Sequence, residues 1–450
     1  MDIWNQFHGP NAGYLVELYD RYQRDPNSVA PDVRVLFASL PSGALAEIAS
    51  ADPATLHAQP GAAAPHLADA DSARVVAAAR LARGIREYGH LAAHTDPLGS
   101  APMGDPMLDP ATHGITDTDL AALPASIVWP SAPQRAATCL DAMRALRAIY
   151  SDTVGYDFDH VQDFDERAWL HSAVESGEYR QRLDSDERQR LLARLTDVHA
   201  FEKFLHTTFP GQKRFSIEGM DALVPMLDEL IHRAVGAGAR EVLIGMAHRG
   251  RLNVLVHVLG KPYTAIFSEF HGSPNKELVP SEGSRGINYG WTGDVKYHLG
   301  AHNVVSDGQA TNAQLTIAHN PSHLEFVNPV IQGIARSAQD QRDQPGQPRQ
   351  NTDRALAVTI HGDAAFPGEG VVAETLNLSR LAGYQTGGSL HIIANNQIGF
   401  TTGPRQARST LYAADLAKGY EIPIIHVNAD APVACLAVIR LAHAYRQRFH

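Results

Sequence analysis

Between Ala355 and Thr402 the chain reads ALAVTIHGDAAFPGEGVVAETLNLSRLAGYQTGGSLHIIANNQIGFTT. An apolar run, Ala357 to Ile360, ends on His361-Gly362-Asp363, and a second, Leu390 to Ala394, ends on Asn395-Asn396. Both runs have the length of buried strands, and the segment from about Val371 to Ala382 reads as a helix. Strand, helix and strand in that order predict a βαβ unit with parallel strands. The polar C-terminal ends of the strands then share one sheet edge, the edge at which open parallel sheets bind ligands. The stretch therefore predicts an α/β fold built on a parallel sheet.

What can occupy that edge follows from the donors. Asp363 offers a carboxylate oxygen and Asn396 an amide oxygen, separated by 396 − 363 = 33 residues, about one crossover. Mg²⁺ takes near-octahedral oxygen ligands, a few from protein and the rest from phosphate and water. Gly362, Gly368 and Gly370 let backbone approach a phosphate, and the following helix presents free N–H groups at its N-terminus. A metal-bridged diphosphate is the expected occupant.

At 450 residues the chain predicts two or three units. Apolar residues make up 44% and the formal net charge is −11, which gives no electrostatic attraction to nucleic acid or to an anionic membrane. No nucleic-acid motif occurs. Cys139 and Cys435 lie far apart without metal spacing, and read as reduced thiols of a cytoplasmic compartment. The opening MDIWNQFHGPNAG lacks a basic segment followed by an apolar one, and there is no apolar run long enough to span a bilayer. The Gly-x-Gly-x-x-Gly of a nicotinamide-binding fold is absent after the first strand.

Four segments are expected. Residues 1–40 form a helical arm, with Tyr14, Leu15, Leu18, Tyr19 and Tyr22 at helical spacing. Residues 41–72 are an Ala/Pro-rich linker, and residues 73–215 a mainly helical region beginning with a helix from Ala73 toward Tyr88. Residues 216–450 form the α/β part, opened by a helix whose buried face is Ile217, Met220, Leu223, Met226, Leu227, Leu230 and Ile231. A strand from Glu241 to Ala247 leads into His248-Arg249-Gly250, where Arg249 can hold a phosphate or carboxylate and His248 can donate a hydrogen bond. The loop His271 to Asn288 reads as a cover, and the block Gly293 to Gly300 carries His298. A strand from Ala313 to Ala318 runs into His319-Asn320-Pro321-Ser322-His323-Leu324-Glu325, followed by a helix from Val327 to about Asp340. One more helix and strand, then a helix from Val433 to Phe449, complete the chain.

Gly-Asp followed by Asn-Asn resembles the thiamine-diphosphate fingerprint. Together with MAHRGRLNVL, the His298 block and HNPSHLE, it resembles the thiamine-diphosphate-dependent decarboxylating first component of the 2-oxoglutarate dehydrogenase complex. The resemblance implies a transketolase-like, diphosphate-side domain. It implies Mg²⁺ on Asp363, Asn396 and the backbone carbonyl of Ile398, and thiamine diphosphate against Arg249, Ser322, Leu324, Asp363, Ala364, Ala365 and Asn396. His248, His298 and His90 fall at the 2-oxo acid.

The implied reaction is oxidative decarboxylation of 2-oxoglutarate with succinyl transfer to a lipoyl group. Rival outcomes are a decarboxylase or carboligase, a non-catalytic binding chain, and a related substrate such as 2-oxoadipate. Residues 1–40 either dock onto the dihydrolipoyl acyltransferase core or pack as a helical pair on their own domain. This sequence has Gly-Asp-Ala where many thiamine enzymes have Gly-Asp-Gly, and Ala431 and Val433 where the family usually has Asp and Glu. Family members are roughly twice as long, and the chain stops at His450 where the family would enter another strand. An N-terminal half is therefore expected, part of a homodimer or joined by a second polypeptide. No residue of the sequence takes the role of the glutamate that engages the cofactor's pyrimidine.

Overall fold

The computed structural model describes residues 21–29, 34, 37, 69–133, 136–271, 296–306 and 312–450. It divides into two units, Met1–Asp71 and Ser72–His450. In the first, residues 21–24 are helical and a 3₁₀ turn, Pro26–Ser28, is capped by the Asp25 carboxylate, which accepts from the Asn27 N–H at 2.9 Å. Most of the expected arm and linker, and the loop segment 272–295, lie outside the described residues.

Helix α1 (Asp69–Tyr88), which lies in the second unit from Ser72 onward, buries Ala78, Leu81, Ala82 and Ile85 along one stripe. Helix α2 (Cys139–Tyr150) begins at a capping box in which the Thr138 hydroxyl accepts from the Asp141 N–H and the Asp141 carboxylate accepts from the Thr138 N–H. A strand, β1 (Val154–Asp157), follows within the region expected to be mainly helical. Helices α3 (Phe164–Ser176) and α4 (Ser185–Thr208) start on the acidic caps Asp163 and Asp184. Helix α5 (Leu223–Gly236) starts later than its apolar pattern predicts. Ile217 is buried ahead of it, its N–H held by Glu202 Oε1 at 3.3 Å, and Gly219 breaks the run at φ +82°.

The main sheet contains β2 (Glu241–Met246), β3 (Ala301–Ser306), β4 (Asn312–Ile317), β5 (Ala355–Gly362) and β6 (Leu390–Ala394), in the order β3-β4-β2-β5-β6. Strands β4, β2, β5 and β6 run parallel, with Ile244 opposite both Ile317 and Val358, and Gly362 opposite Ala394. Strand β3 adds an antiparallel edge that the His302-Asn303 sequence did not announce. Residues Ala355–His361 of β5 are all buried, as expected for a strand covered on both faces. Helices α6 (Val327–Gln339) and α7 (Gly370–Leu378) complete the expected crossover, α7 ending four residues short of Ala382. Beyond the short helical turn Arg251–Asn253 the chain forms a π turn, Val254–Val258.

After a 3₁₀ segment, Ala413–Tyr420, strand β7 (Ile424–Val427) pairs antiparallel with β1 in a separate two-stranded sheet, and α8 (Pro432–Phe449) follows. One apolar core joins α1, α2, β1, α5, the main sheet and α8. At about 1.5–3 kcal/mol for each fully buried large aliphatic side chain, this shared core binds the helical region to the α/β part. Cys139 and Cys435 are buried free thiols. Among the described residues no helix is long and apolar enough to cross a membrane.

Candidate functional site

The C-terminal ends of four neighbouring parallel strands bring the expected residues to one edge. Asp363 follows β5, Asn396 follows β6, His248 and Arg249 follow β2, and Asn320 to Leu324 follow β4. Gly250, at φ +79°, turns the chain back after Arg249; a side chain there would also collide with Ile217. Gly399 lets the turn after β6 lie on Ala364, to which an added Cβ would come within 2.6 Å. Ala365, buried, starts the short turn Ala365–Gly368.

Asp363 is 2% exposed. Its Oδ2 lies 3.3 Å from Arg408 Nη1, and its Oδ1 lies 3.3 Å from the end of the Asn396 amide. With the amide nitrogen turned toward Asp363, the amide oxygen accepts from Arg249 Nη2 and Nε at 3.2 Å each. A carboxylate oxygen and an amide oxygen side by side at the sheet edge are oxygen donors of the kind Mg²⁺ takes, so the donor set fits that ion. Burial raises the Asp363 pKa, and Arg408, the local backbone N–H and Arg249 oppose the rise without cancelling it. Burial lowers that of Arg249, against Asp363 and Glu202. Arg249 Nη1 also donates to Ser216 O at 2.7 Å, so its fork is fixed at both ends.

His248 and His298 meet edge to face, their ring centroids 4.8 Å apart. His248 stacks on Phe215 at 5.1 Å, and His298 Nδ1 donates to Asn320 O at 2.9 Å, which ties the His298 segment to the loop after β4. Ser322 is exposed and Leu324 half-buried on that loop. The Ile398 side chain is 58% exposed, with its backbone in the turn that carries Asn396.

His90 belongs to a different cluster. Its Nε2 lies 3.5 Å from Asp157 Oδ2, its ring 6.2 Å from that of His426, and its carbonyl accepts from Tyr412 Oη at 3.1 Å. Its described contacts do not reach His248, His298 or Asp363.

Sequence reasoning missed two features. Arg408 stands 45 residues from Asp363 in no motif. Glu325, at φ +69° and 3% exposed, accepts from His361 Nδ1 at 2.6 Å and from Asn328 Nδ2 at 2.9 Å. A residue other than glycine costs roughly 1–2 kcal/mol in that backbone region, so surrounding contacts must hold it there. A cavity of about 1080 Å³ opens between β6 and β7, walled by Ile392, Ile424, Val438 and Ile439 together with Ser389 and Arg408. Asp363, Asn396 and Arg249 lie outside its lining, so it is not the place of the expected chemistry.

Comparison with known proteins gives two family matches. The profile described as "Dehydrogenase E1 component" matches residues 218–450, and "2-oxoglutarate dehydrogenase N-terminus" matches residues 6–44. The chain is similar to proteins named 2-oxoglutarate dehydrogenase E1 component. The one from Bacillus velezensis is 53% identical over 448 residues, covering 99% of this chain and 46% of that protein. The Bacillus subtilis protein gives the same identity and coverage, and the one from Geobacillus kaustophilus is 52% identical over 447 residues, 99% of this chain and 47% of its own length. The chain thus spans about half the length of the curated relatives it matches.

Proposed function

We propose, from the premise that this chain belongs to the dehydrogenase E1 component family, that its strand-end cluster holds Mg²⁺ and the diphosphate of thiamine diphosphate for decarboxylation of 2-oxoglutarate. The observation that carries the proposal is the meeting of Asp363, Asn396 and Arg249 at the ends of three adjacent parallel strands. Asp363, Asn396 and the Ile398 carbonyl are the metal ligands in this reading. Bound thiamine diphosphate supplies the electron sink that allows carbon dioxide to leave a 2-oxo acid.

The chain's own residues bind and orient. Arg249 offers its guanidinium fork to a phosphate oxygen. The Ser322 hydroxyl reaches the diphosphate side, Ala364 and Ala365 line the approach, and Leu324 gives an apolar seat for a ring. His298 spends its Nδ1–H on Asn320, which leaves Nε2 for substrate, and His248 stands at right angles to it. Two imidazoles so placed suit a dicarboxylate, whose buried charge costs several kcal/mol when unpaired. His90 acts one layer away, from its cluster with Asp157 and His426.

The succinyl group passes, in this reading, to a lipoyl group of a dihydrolipoyl acyltransferase core, with residues 1–40 as the docking arm in a cytoplasmic complex. The pyrimidine-side glutamate comes from a second polypeptide or from the second half of a longer chain, in a dimer as in the full-length family. Titration calorimetry of thiamine diphosphate in the presence of Mg²⁺ tests the assignment. Binding is expected for the wild type and its loss for Asp363→Ala combined with Asn396→Ala; undiminished binding by the double variant would refute it. Reduction of an artificial electron acceptor that depends on 2-oxoglutarate, with and without the second polypeptide, tests the activity.

A further inference from the structure

We propose that Glu325 and His361 are positioning residues, a buried lock that holds the loop after β4 against the end of β5 and so fixes the spacing between the Ser322–Leu324 turn and Asp363. The inference rests on the functional reading above in assigning that spacing to thiamine diphosphate, but the lock itself stands on geometry. Both side chains are at most 1% exposed, and the Glu325 Oε2 to His361 Nδ1 separation is 2.6 Å. Glu325 is the residue immediately after Leu324, and His361 stands two before Asp363.

The bond has a fixed direction. A carboxylate accepts, so His361 Nδ1 is the donor, and Asn328 Nδ2 donates to the same Oε2 at 2.9 Å from the first turn of α6. The network continues on the far side of the imidazole, where His361 Nε2 lies 2.9 Å from His391 Nδ1 and His391 Nε2 lies 3.1 Å from Ser389 Oγ. The two rings stack at 15°, with Phe366 edge-on to His361 at 4.8 Å. Three elements are thereby joined through one imidazole: the β4 loop, β5 and β6, the last of which carries Asn396. The left-handed backbone of Glu325, at φ +69°, aims its carboxylate inward, and a strained residue of this kind persists where the surroundings determine its conformation.

The variants follow from the local geometry. Glu325→Gly removes the carboxylate and relieves the backbone, so the loop keeps its path while losing its anchor. Glu325→Gln keeps an acceptor for His361 and serves as the rescue. His361→Gln keeps a group toward His391 and loses the one toward Glu325; it replaces Glu325→Gly should that variant fail to fold.

Two readouts decide. Amide hydrogen exchange at residues 322–326 is expected to rise at least tenfold in Glu325→Gly while exchange in β5 is unchanged, with Glu325→Gln close to wild type. Thiamine diphosphate affinity in Mg²⁺ is expected to fall at least tenfold in the same variant and to be recovered in Glu325→Gln. Unchanged exchange overturns the lock. Faster exchange with wild-type affinity overturns the positioning role and leaves a structural bond only. If the wild-type chain itself binds no thiamine diphosphate while Glu325→Gly still loosens the loop, the functional reading fails and the lock survives.

Discussion

Arg408 Nη1 and Asp363 Oδ2 face each other 3.3 Å apart, and neither side chain is more than 7% exposed. A buried pair of this kind is costly to break from one side, because the remaining charge is left without water or a partner. Arg408→Met is expected to destabilise the metal-free protein by about 3–5 kcal/mol, read from urea unfolding. Millimolar Mg²⁺ should return more stability to this variant than to the wild type, since a cation can take the place of the guanidinium. Equal stability of the two proteins without Mg²⁺ would show that the pair does not hold the turn.

Arg249 uses a fork, one nitrogen on Ser216 O and two on the Asn396 oxygen. Lysine keeps the charge but not the plane. Arg249→Lys is therefore expected to weaken thiamine diphosphate binding at least tenfold, about 1.4 kcal/mol. Calorimetry giving wild-type affinity for this variant would leave only the charge as relevant.

Gly399 separates two turns by the width of a hydrogen. Its alanine Cβ would come within 2.6 Å of Ala364, whereas Gly368 has open space around it. Gly399→Ala should cost about 1–3 kcal/mol and lower cofactor affinity; Gly368→Ala should leave stability unchanged. Thermal unfolding and calorimetry on the pair check this, and two silent substitutions would mean that the turns are free to part.

His171 and His426 are half-buried, and desolvation first of all lowers their pKa values to about 4 each. An unfolded histidine titrates near 6.5, so between these values the unfolded chain binds more protons than the folded one. Their contribution to stability is complete above about pH 6.5 and is lost as the pH falls toward 4, at up to about 1.4 kcal/mol per pH unit for each group. His171→Gln should flatten this slope between pH 6.5 and 5 in denaturant titrations, and an unaltered slope would assign the acid sensitivity elsewhere.

The strands of the candidate site were legible because each is a short apolar run that stops at a polar residue, and the chemistry sits at the stop. Ala355–Gly362 and Leu390–Ala394 are of this kind. The end of α7 was not legible, since Leu381 and Ala382 continue its apolar pattern. Tertiary contacts decide there: Arg336 Nη1 donates to Ala382 O and Gln385 O, each at 3.1 Å, capturing carbonyls outside the helix. Ile217 and Met220 misled in the same way at the start of α5, where Gly219 interrupts a pattern that composition alone would carry through. Arg408 and the bond between Glu325 and His361 were invisible for another reason. They join residues 45 and 36 positions apart that share no motif. The neighbours of His90, Asp157 and His426, were invisible in the same way, since only the pairing of β1 with β7 brings them to it.

That pairing also has a consequence for the order in which the chain acquires its structure. Val154 lies opposite Val427, a separation of 427 − 154 = 273 residues. At synthesis rates of about 5–20 residues per second, β1 leaves the ribosome roughly 15–55 s before its partner exists. Throughout that interval the apolar side chains of Val154 and Tyr156, each at most 3% exposed in the finished fold, have no strand beside them. Among the described residues the earliest-made strand waits for the latest-made one, and that wait is set by the ribosome rather than by the rate of folding.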